Sequence, residues 1–204
     1  MEKTKEHIPF EITDALIEVL NELIDAQDDK AVLEQLRDVH YADIAEILDD
    51  LNKYANDSLN KSNDDSIRDG MDITLCSINF EEMKLRFAGA NNPVYLVRNG
   101  ELEIYKTNRF AIGSFTYGEH NYENFELDLK KGDKVYAFSD GYPDQFGGPR
   151  GKKFMYKKFK ELLVETVNDS METQKKLLED RLAEWMGDEH EQVDDIVIFA
   201  VEID

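Results

Sequence analysis

Apolar residues recur with helical spacing through the first sixty residues of the chain. The segments 13–26, 28–39 and 41–59 each place apolar side chains three and four positions apart. This spacing puts those side chains on one stripe and predicts three amphipathic helices. Turn-forming residues at 60–70 then end the pattern.

From Asp72 onward the apolar residues follow the period of a β-strand. Short β-rich runs lie at 72–79, 84–90, 93–100, 101–106, 122–129 and 134–140. Two helical segments, 153–167 and 171–186, precede a continuous apolar run at 194–203 that is typical of a central strand. Strands outnumber helices in this part of the chain, which predicts an α+β layered domain behind an N-terminal helical segment.

The composition narrows the classes of function. The chain has 204 residues, of which 41% are hydrophobic, and its 24 basic and 45 acidic residues give a formal charge of -21. This charge repels nucleic acid and anionic lipid.

The sequence has no apolar stretch near the ~20 residues of a membrane span. Its start lacks the apolar core of a signal peptide, so we expect a cytoplasmic protein. Cys76 lies in an apolar run and is interpreted as a small buried hydrophobe.

Carboxylates stand where two of the predicted strands meet turns. Asp140 ends the run 134–140, and Asp194 and Asp195 open the last strand. If these strands are antiparallel neighbours, Asp140 approaches Asp194. Two carboxylates that lie this close repel each other unless one is protonated or a cation bridges them. Because the ligand atoms would be oxygens, the favoured cation is Mg²⁺ or Mn²⁺. The alternative is that each carboxylate caps its own turn.

Other polar residues have two interpretations each. Arg150 begins a basic run that continues through Lys160, which is either a phosphate contact or a solvated helix face. Asn91 and Asn92 either orient a substrate or form the turn before Pro93. The remaining carboxylates near the predicted strand ends, which could act as spare ligands or as turn residues, are Asp69, Asp72 and Asp144.

Four stretches, in order, carry a family resemblance: DGMDITLCSIN, LRFAGANNPVYLVRNGELEIYK, KGDKVYAFSDGYPDQFGG and QVDDIVIFAVEI. They resemble the C-terminal two thirds of a SpoIIE-type serine phosphatase domain of the PPM, or protein phosphatase 2C, class, over residues 55–204. The resemblance implies an α-β-β-α sandwich with two Mn²⁺ or Mg²⁺ ions and a phosphoserine or phosphothreonine protein as substrate. By position it implies that Asp140 and Asp194 are metal ligands, with Asp195 as adjacent support and Gly141 keeping the turn open.

The sequence also departs from that family. Such domains begin with a strand carrying Gly-Asp and a second carrying Asp-x-x-Gly-His-Gly, and helices are predicted where these strands should stand. The sandwich is therefore expected to be partial, with no catalytic residue assigned. The stretch LRDVHYADIAEILDDL resembles the cytosolic N-terminal domain of MgtE-type magnesium transporters. We expect a helical segment at 1–54 followed by the phosphatase-like domain at 55–204, as a fusion or a truncated gene product.

Three functions are consistent with these patterns. The first is a metal-dependent protein serine/threonine phosphatase that serves as a signalling output module, with an upstream sensor domain or partner. The second is a non-catalytic regulatory or protein-binding remnant of the phosphatase fold. The third is a magnesium-responsive binding module.

Overall fold

The computed structural model describes residues 44–60, 70–113 and 121–204 of the chain. Helix α1 spans Ile44–Asn60, close to the predicted segment 41–59. The helices predicted at 13–26 and 28–39 lie outside the described residues. No helix in the described part of the chain is both long and apolar enough to cross a membrane.

Apart from one short hairpin, the strands in the described part of the chain form two antiparallel sheets. The smaller sheet has the order β1-β2-β5, with β1 at Ile73–Asn79, β2 at Lys84–Ala90 and β5 at Phe125–Asp128. The larger sheet has the order β4-β3-β6-β9, with β3 at Val94–Arg98, β4 at Glu101–Tyr105, β6 at Lys134–Phe138 and β9 at Ile198–Glu202. Each of these strands falls within a predicted run, so the α+β prediction is confirmed.

Three helices and a small hairpin lie between β6 and β9 in the chain. They are α2 at Gly141–Asp144, the hairpin strands β7 at Phe146–Gly147 and β8 at Lys152–Lys153, α3 at Tyr156–Glu165 and α4 at Met171–Met186. Ser170 caps α4 by accepting a hydrogen bond from the backbone N–H of Thr173. Helix α2 and the hairpin occupy a stretch in which the sequence indicated only turns.

Alternating side chains on the strands divide the core into layers. On β3, Val94 and Leu96 point between the two sheets, whereas Tyr95 and Val97 point to the other face and pack under α3 and α4. On β2, Phe87 faces the other sheet and Ala88 faces α1. The order of layers is therefore helix, sheet, sheet, helix, which confirms the expected α-β-β-α sandwich.

Helix α1 covers the outer face of the smaller sheet. Its buried residues Ile44, Ala45 and Leu48 pack in one cluster with Ala88 and Ala90 of β2. The helix also donates its Ala45 N–H to Asn124 Oδ1 at 3.0 Å, just before β5. The domain boundary expected at residue 54 lies inside this helix, and the division of the chain there stays a prediction.

Strand β9 has a covered end and an open end. Among the described residues it pairs only with β6, so within that part of the chain it is an edge strand and not the central strand that the sequence pattern suggested. Ile203, just beyond its covered end, is 1% exposed between the sheets, but Phe199 and Val197 on the same face are 63% and 60% exposed. The smaller sheet therefore covers one end of β9 and leaves the other uncovered.

The covered end is closed by a buried ion pair. Asp133, directly before β6, accepts hydrogen bonds from Arg98 Nε at 2.9 Å and Arg98 Nη2 at 2.6 Å, and from the backbone N–H of Lys130 at 2.7 Å. Backbone hydrogen bonds also join Asp133 and Gly132 to Ile203. The Asp133 side chain is 1% exposed, so its negative charge depends on these donors.

Trp185, which is the single tryptophan of the chain, fastens α4 to the hairpin. Its Nε1 donates to the Gln145 carbonyl at 3.1 Å, and its own carbonyl accepts from Gly148 N–H at 2.7 Å. The ring stacks edge-on against Phe154 and lies 3.5 Å from Lys158 Nζ. A Cβ on Gly147 would lie 2.0 Å from the Trp185 carbonyl oxygen, so this approach requires glycine.

Candidate functional site

The end of β6 and the segment before β9 are held together by one serine. Ser139 Oγ donates to the Asp195 carbonyl at 2.7 Å and accepts from Val197 N–H at 3.0 Å, while Ser139 N–H donates to the Val197 carbonyl at 3.0 Å. These bonds continue the antiparallel pairing of Phe138 with Ile198. The strand arrangement on which the predicted approach of Asp140 and Asp194 depended is thus present.

Gly141 allows the two segments to approach closely. A Cβ at this position would lie 2.4 Å from the Asp195 carbonyl oxygen and 2.9 Å from its carbonyl carbon. Both neighbours are backbone atoms, which cannot move aside as the end of a flexible side chain can. The glycine of the Ser-Asp-Gly stretch therefore sets the distance between the ends of β6 and β9.

The ionised form of Asp140 is electrostatically unfavourable in the folded chain. Partial burial raises the pKa of its carboxyl group, and the negative charge of Asp194 raises it further. Asp144 and Asp72 contribute in the same direction. We call these four residues, Asp72, Asp140, Asp144 and Asp194, the acidic cluster. The charge of Asp194 therefore acts on Asp140, as expected for carboxylates brought to one sheet end.

The turn-capping interpretation of Asp140 does not account for its placement. Asp140 occupies the N-cap position of α2, but its side chain makes no capping hydrogen bond. Its backbone carbonyl takes part in the turn by accepting from Asp144 N–H at 3.0 Å. Asp144 differs, because its carboxylate pairs with Lys153 Nζ at 2.7 Å. Among the described residues, no basic side chain pairs with Asp140 or Asp194.

The ligand atoms near Asp140 are of the type that a hard divalent cation prefers, but among the described residues there are too few of them for a metal centre. Carboxylate oxygens are the ligands that Mg²⁺ and Mn²⁺ prefer. However, within 44–60, 70–113 and 121–204 no three His, Cys, Asp or Glu side chains are arranged to hold a metal ion. The described residues therefore do not fit the two-ion centre that the family resemblance implies.

The remaining predicted site residues have separate positions. Asp195 contacts Ser139 through its backbone carbonyl, and its exposed carboxylate extends from the same segment as Asp194. Arg150 is exposed in the turn between β7 and β8, and no ion pair in the described part of the chain joins it to Asp140 or Asp194. The role of Arg150 in substrate binding therefore stays a prediction.

Asn91 and Asn92 belong to the turn before β3. Asn91 has a positive φ of 61°, and its side chain donates to Asp72 Oδ1 at 2.7 Å. The Asn92 carbonyl accepts from the hydroxyls of Thr74 and Thr107, at 2.8 and 2.9 Å. These contacts favour the turn interpretation of both residues, and Asn91 additionally reaches the acidic cluster through Asp72.

The basic run from Arg150 to Lys160 has several structural environments. Lys153 pairs with Asp144, Lys158 lies over the Trp185 ring, and Lys157 lies 3.8 Å from Glu161 on the exposed face of α3. Lys160 instead lines a cavity of about 370 Å³ next to the acidic cluster. We call this cavity the cationic pocket; its lining includes Asn91, Tyr95, Lys106, Arg109, Tyr156 and Lys160.

Tyr156 joins the cationic pocket to the acidic cluster. Burial raises the pKa of its hydroxyl, and the charges of Asp140, Asp144 and Asp72 raise it in that order. Sequence reasoning missed Tyr156, which lies within the basic run, and it missed Lys106 and Arg109, which follow β4. The basic run was a partial signal, since it included Lys160.

Cys76 is not a nucleophile candidate in this structure. Burial raises the pKa of its thiol to about 11, so the reactive thiolate is scarce at neutral pH. Its side chain packs against the core cluster between the two sheets. This supports the interpretation of Cys76 as a small hydrophobe.

Comparisons with solved structures place this sandwich among phosphatase domains. The PP2C domain of SiaA from Pseudomonas aeruginosa matches with a TM-score of 0.69 and 27% identity, over 93% of this chain and 70% of that one. The Mn-presoaked SpoIIE phosphatase domain from Bacillus subtilis matches with a TM-score of 0.51 and 17% identity, over 98% of this chain and 76% of that one. A longer SpoIIE fragment from Bacillus subtilis, which includes part of its regulatory domain, matches with a TM-score of 0.56 and 16% identity. That match covers 94% of this chain and 49% of the fragment.

The sequence itself was also compared with known proteins. No protein with a curated description matches it significantly. The family model described as Stage II sporulation protein E (SpoIIE) matches residues 16–204, and thus includes most of the segment that resembled MgtE. This match covers nearly the whole chain and agrees with the layered fold. The chain therefore belongs to the SpoIIE family and has the fold of the PP2C-type phosphatases.

Proposed function

We propose that the chain is a protein serine/threonine phosphatase of the SpoIIE type, dependent on Mn²⁺ or Mg²⁺. Its substrate would be a cytoplasmic phosphoprotein in a signalling pathway, with an upstream sensor or partner controlling it. The observation that carries the proposal is the placement of Asp140 and Asp194 at the joined ends of β6 and β9, in a chain of this family.

The local structure supports a role for this carboxylate pair in cation binding. Ser139 and Gly141 hold the two strand ends together although the carboxylates repel each other. No basic side chain in the described ranges offsets Asp140 or Asp194, whereas Asp144 has Lys153. Unbalanced charge of one sign at a well-fixed position is a feature of functional sites. A divalent cation between the carboxylates would remove the repulsion.

A non-catalytic regulatory module of the same fold is the second candidate. It is favoured by one observation, namely that the described residues include no group of three His, Cys, Asp or Glu side chains that could hold a metal ion. A cation held by two carboxylates binds weakly, and we therefore expect slow turnover from this chain. The two candidates differ in whether the carboxylate pair binds a cation at all.

The test compares the wild-type chain with Asp140→Asn, Asp194→Asn and the control Asp180→Asn, which changes an exposed carboxylate on α4. Unfolding midpoints are measured with chelator and with millimolar Mn²⁺, and hydrolysis of an aryl phosphate and a phosphoserine peptide is followed in parallel. We expect Mn²⁺ to raise the midpoint of the wild type and the control but not of the other two variants. We also expect turnover barely above background.

Two results would change the proposal. If Mn²⁺ stabilises none of the proteins and no phosphate is released, the regulatory candidate is correct. Strong Mn²⁺-dependent hydrolysis that is lost in Asp140→Asn would instead show a complete catalytic centre. Asp72, Asp144 or Asp69 would then be the additional ligand to test by substitution.

A further inference from the structure

The cationic pocket is built from three separate parts of the chain. Asn91 lies in the turn before β3, and Lys106 and Arg109 follow β4. Tyr156 and Lys160 come from α3, where a spacing of four residues places them on the same face. The cavity measures about 370 Å³, enough for a small polar group with part of its carrier.

Three cationic side chains line one cavity of a protein that has a formal charge of -21. Several basic residues elsewhere in the described part of the chain pair with carboxylates: Lys84 and Arg86 with Glu126, Arg98 with Asp133, Lys134 with Glu202 and Lys153 with Asp144. Others, such as Lys130 and Lys176, are exposed, form no ion pair in that part and do not line the pocket. Within the described ranges, Lys106, Arg109 and Lys160 form no ion pair. The cationic pocket therefore has donors for an oxyanion that the folded chain itself does not supply.

The position of the pocket connects it to the proposed phosphatase site. Tyr156 lines the pocket and lies within the electrostatic reach of Asp140. On the other side, Asn91 lines the pocket and donates to Asp72 of the acidic cluster. A polypeptide placed with one residue at Asp140 would have neighbouring residues at the pocket.

We propose that the cationic pocket binds an oxyanion on the protein substrate, close in sequence to the phosphorylated residue. The oxyanion is a carboxylate of Asp or Glu, or a second phosphate, and Lys106, Arg109 and Lys160 are its donors. The pocket thus selects acidic or multiply phosphorylated segments. The proposal rests on the proposed function for the role of this ligand, but the binding itself does not depend on turnover.

The charge distribution favours a polypeptide over a nucleic acid as the carrier. A nucleic acid presents a charge at every nucleotide and would be repelled by the acidic surface around the pocket. A polypeptide can place one or two oxyanions in the pocket and keep neutral residues elsewhere. The binding should weaken as salt is added, because the donors Lys106 and Arg109 are exposed.

The test measures peptide binding to the full chain in the presence of chelator, so that hydrolysis does not interfere. Three labelled phosphoserine peptides differ only in their flanks, which carry Asp and Glu, Asn and Gln, or a second phosphoserine. The proteins are the wild type, Lys160→Gln, the double variant Lys106→Gln with Arg109→Gln, and the control Lys157→Gln. Lys157 is on the same helix as Lys160 but is exposed and outside the pocket lining.

We expect the wild type and the control to bind the two anionic peptides about tenfold more tightly than the neutral one, as one charge-assisted hydrogen bond provides. The pocket variants should lose most of that preference. A preference carried by only one anionic peptide would identify the source of the oxyanion and support the proposal. Equal binding of all three peptides, an equal loss in the control, or tighter binding of a single-stranded RNA would overturn it.

The outcome can be separated from that of the proposed function. If the chain keeps the peptide preference but Mn²⁺ neither stabilises it nor supports hydrolysis, the phosphatase proposal fails and the pocket remains. If the chain hydrolyses the acidic and neutral peptides with equal kcat/KM and binds them equally, the pocket proposal alone fails. Circular dichroism of each variant checks that the fold is intact.

Discussion

Strand β6 is bracketed by two aspartates that have opposite environments. Asp133, before its first residue, is buried and bonded to Arg98 and to the backbone of Lys130. Asp140, after its last residue, lies among carboxylates, and no basic side chain in the described residues pairs with it. At the start of β6 the negative charge of Asp133 is balanced by Arg98. At the end of β6 no described basic side chain balances the negative charge of Asp140.

The difference separates residues that stabilise the fold from those that face a ligand. Asp133 lies at the covered end of the sandwich beside Ile203, where an unpaired charge would be very costly. Asp140 lies at the open end, near the exposed Val197 and Phe199, where water screens part of the repulsion. The protein therefore tolerates an unfavourable carboxylate pair only where a ligand could reach it.

The largest expected effect is at Asp133. Replacing Asp133 by Ala leaves Arg98 without its partner inside the structure, which typically costs about 3 to 5 kcal/mol. We expect a correspondingly large loss in the free energy of unfolding, measured by urea denaturation. Asp180→Ala serves as the exposed control, with a change within about 0.5 kcal/mol. A loss at Asp133 no larger than that of the control would show that the ion pair does not close this end.

The two ends of β9 should differ in packing. Ile203→Ala removes a side chain that is 1% exposed and should cost about 2 to 5 kcal/mol. Phe199→Ala, on the same face but 63% exposed, should cost less than about 1 kcal/mol although it removes more atoms. Both are measured by urea denaturation. Similar losses for the two variants would mean that Phe199 is covered in solution, for example by another copy of the chain.

A smaller loss is expected at Gly141. A methyl group there would meet the Asp195 carbonyl oxygen at 2.4 Å, so the ends of β6 and β9 must separate. Overpacking of this kind costs about 1 to 3 kcal/mol. Gly141→Ala should also abolish the Mn²⁺-induced rise in the unfolding midpoint, because the carboxylates move apart. Retention of that rise would show that the approach at Gly141 is not needed for cation binding.

The smallest effect, and the only stabilising one, is at Asp140. Because its pKa is raised in the folded state, its contribution to stability is present at low pH and is lost as the pH rises through the folded pKa. In chelator at neutral pH, Asp140→Asn should therefore raise the free energy of unfolding by less than about 1 kcal/mol. The gain should disappear below about pH 4, where the wild-type carboxyl is also neutral. A destabilised variant at neutral pH would contradict the assignment of net repulsion.

Much of the sheet framework was predictable from local pattern. Strand β2 and helix α4 have the predicted bounds, because their apolar periods are interrupted by clear turn residues or a serine cap. The meeting of Asp140 with Asp194 followed from one further assumption, the antiparallel pairing of β6 and β9. The sequence alone shows that a carboxylate stands at the end of a strand. Which second carboxylate lies beside it can be predicted only when the order of the strands is known.

The remainder depended on contacts between distant segments. The apolar run 194–203 predicted a central strand, but the position of β9 in the sheet depends on which strands lie beside it, and the run itself carries no such information. In the sequence, Lys106 and Arg109 look like ordinary loop residues. Only the structure shows that they line the same pocket as Lys160 of α3. Helix α2 is a single short turn, too short to show a period.

The placement of Trp185 gives this protein a built-in optical probe. No other residue in the chain has an indole ring, and this ring donates to Gln145, directly after Asp144 of the acidic cluster. Lys158 of α3 also lies against the ring, so a shift of α3 or of the hairpin relative to α4 should change the emission of Trp185. Intrinsic fluorescence can therefore follow events at the ends of β6 and β9 in the unlabelled, unmodified chain.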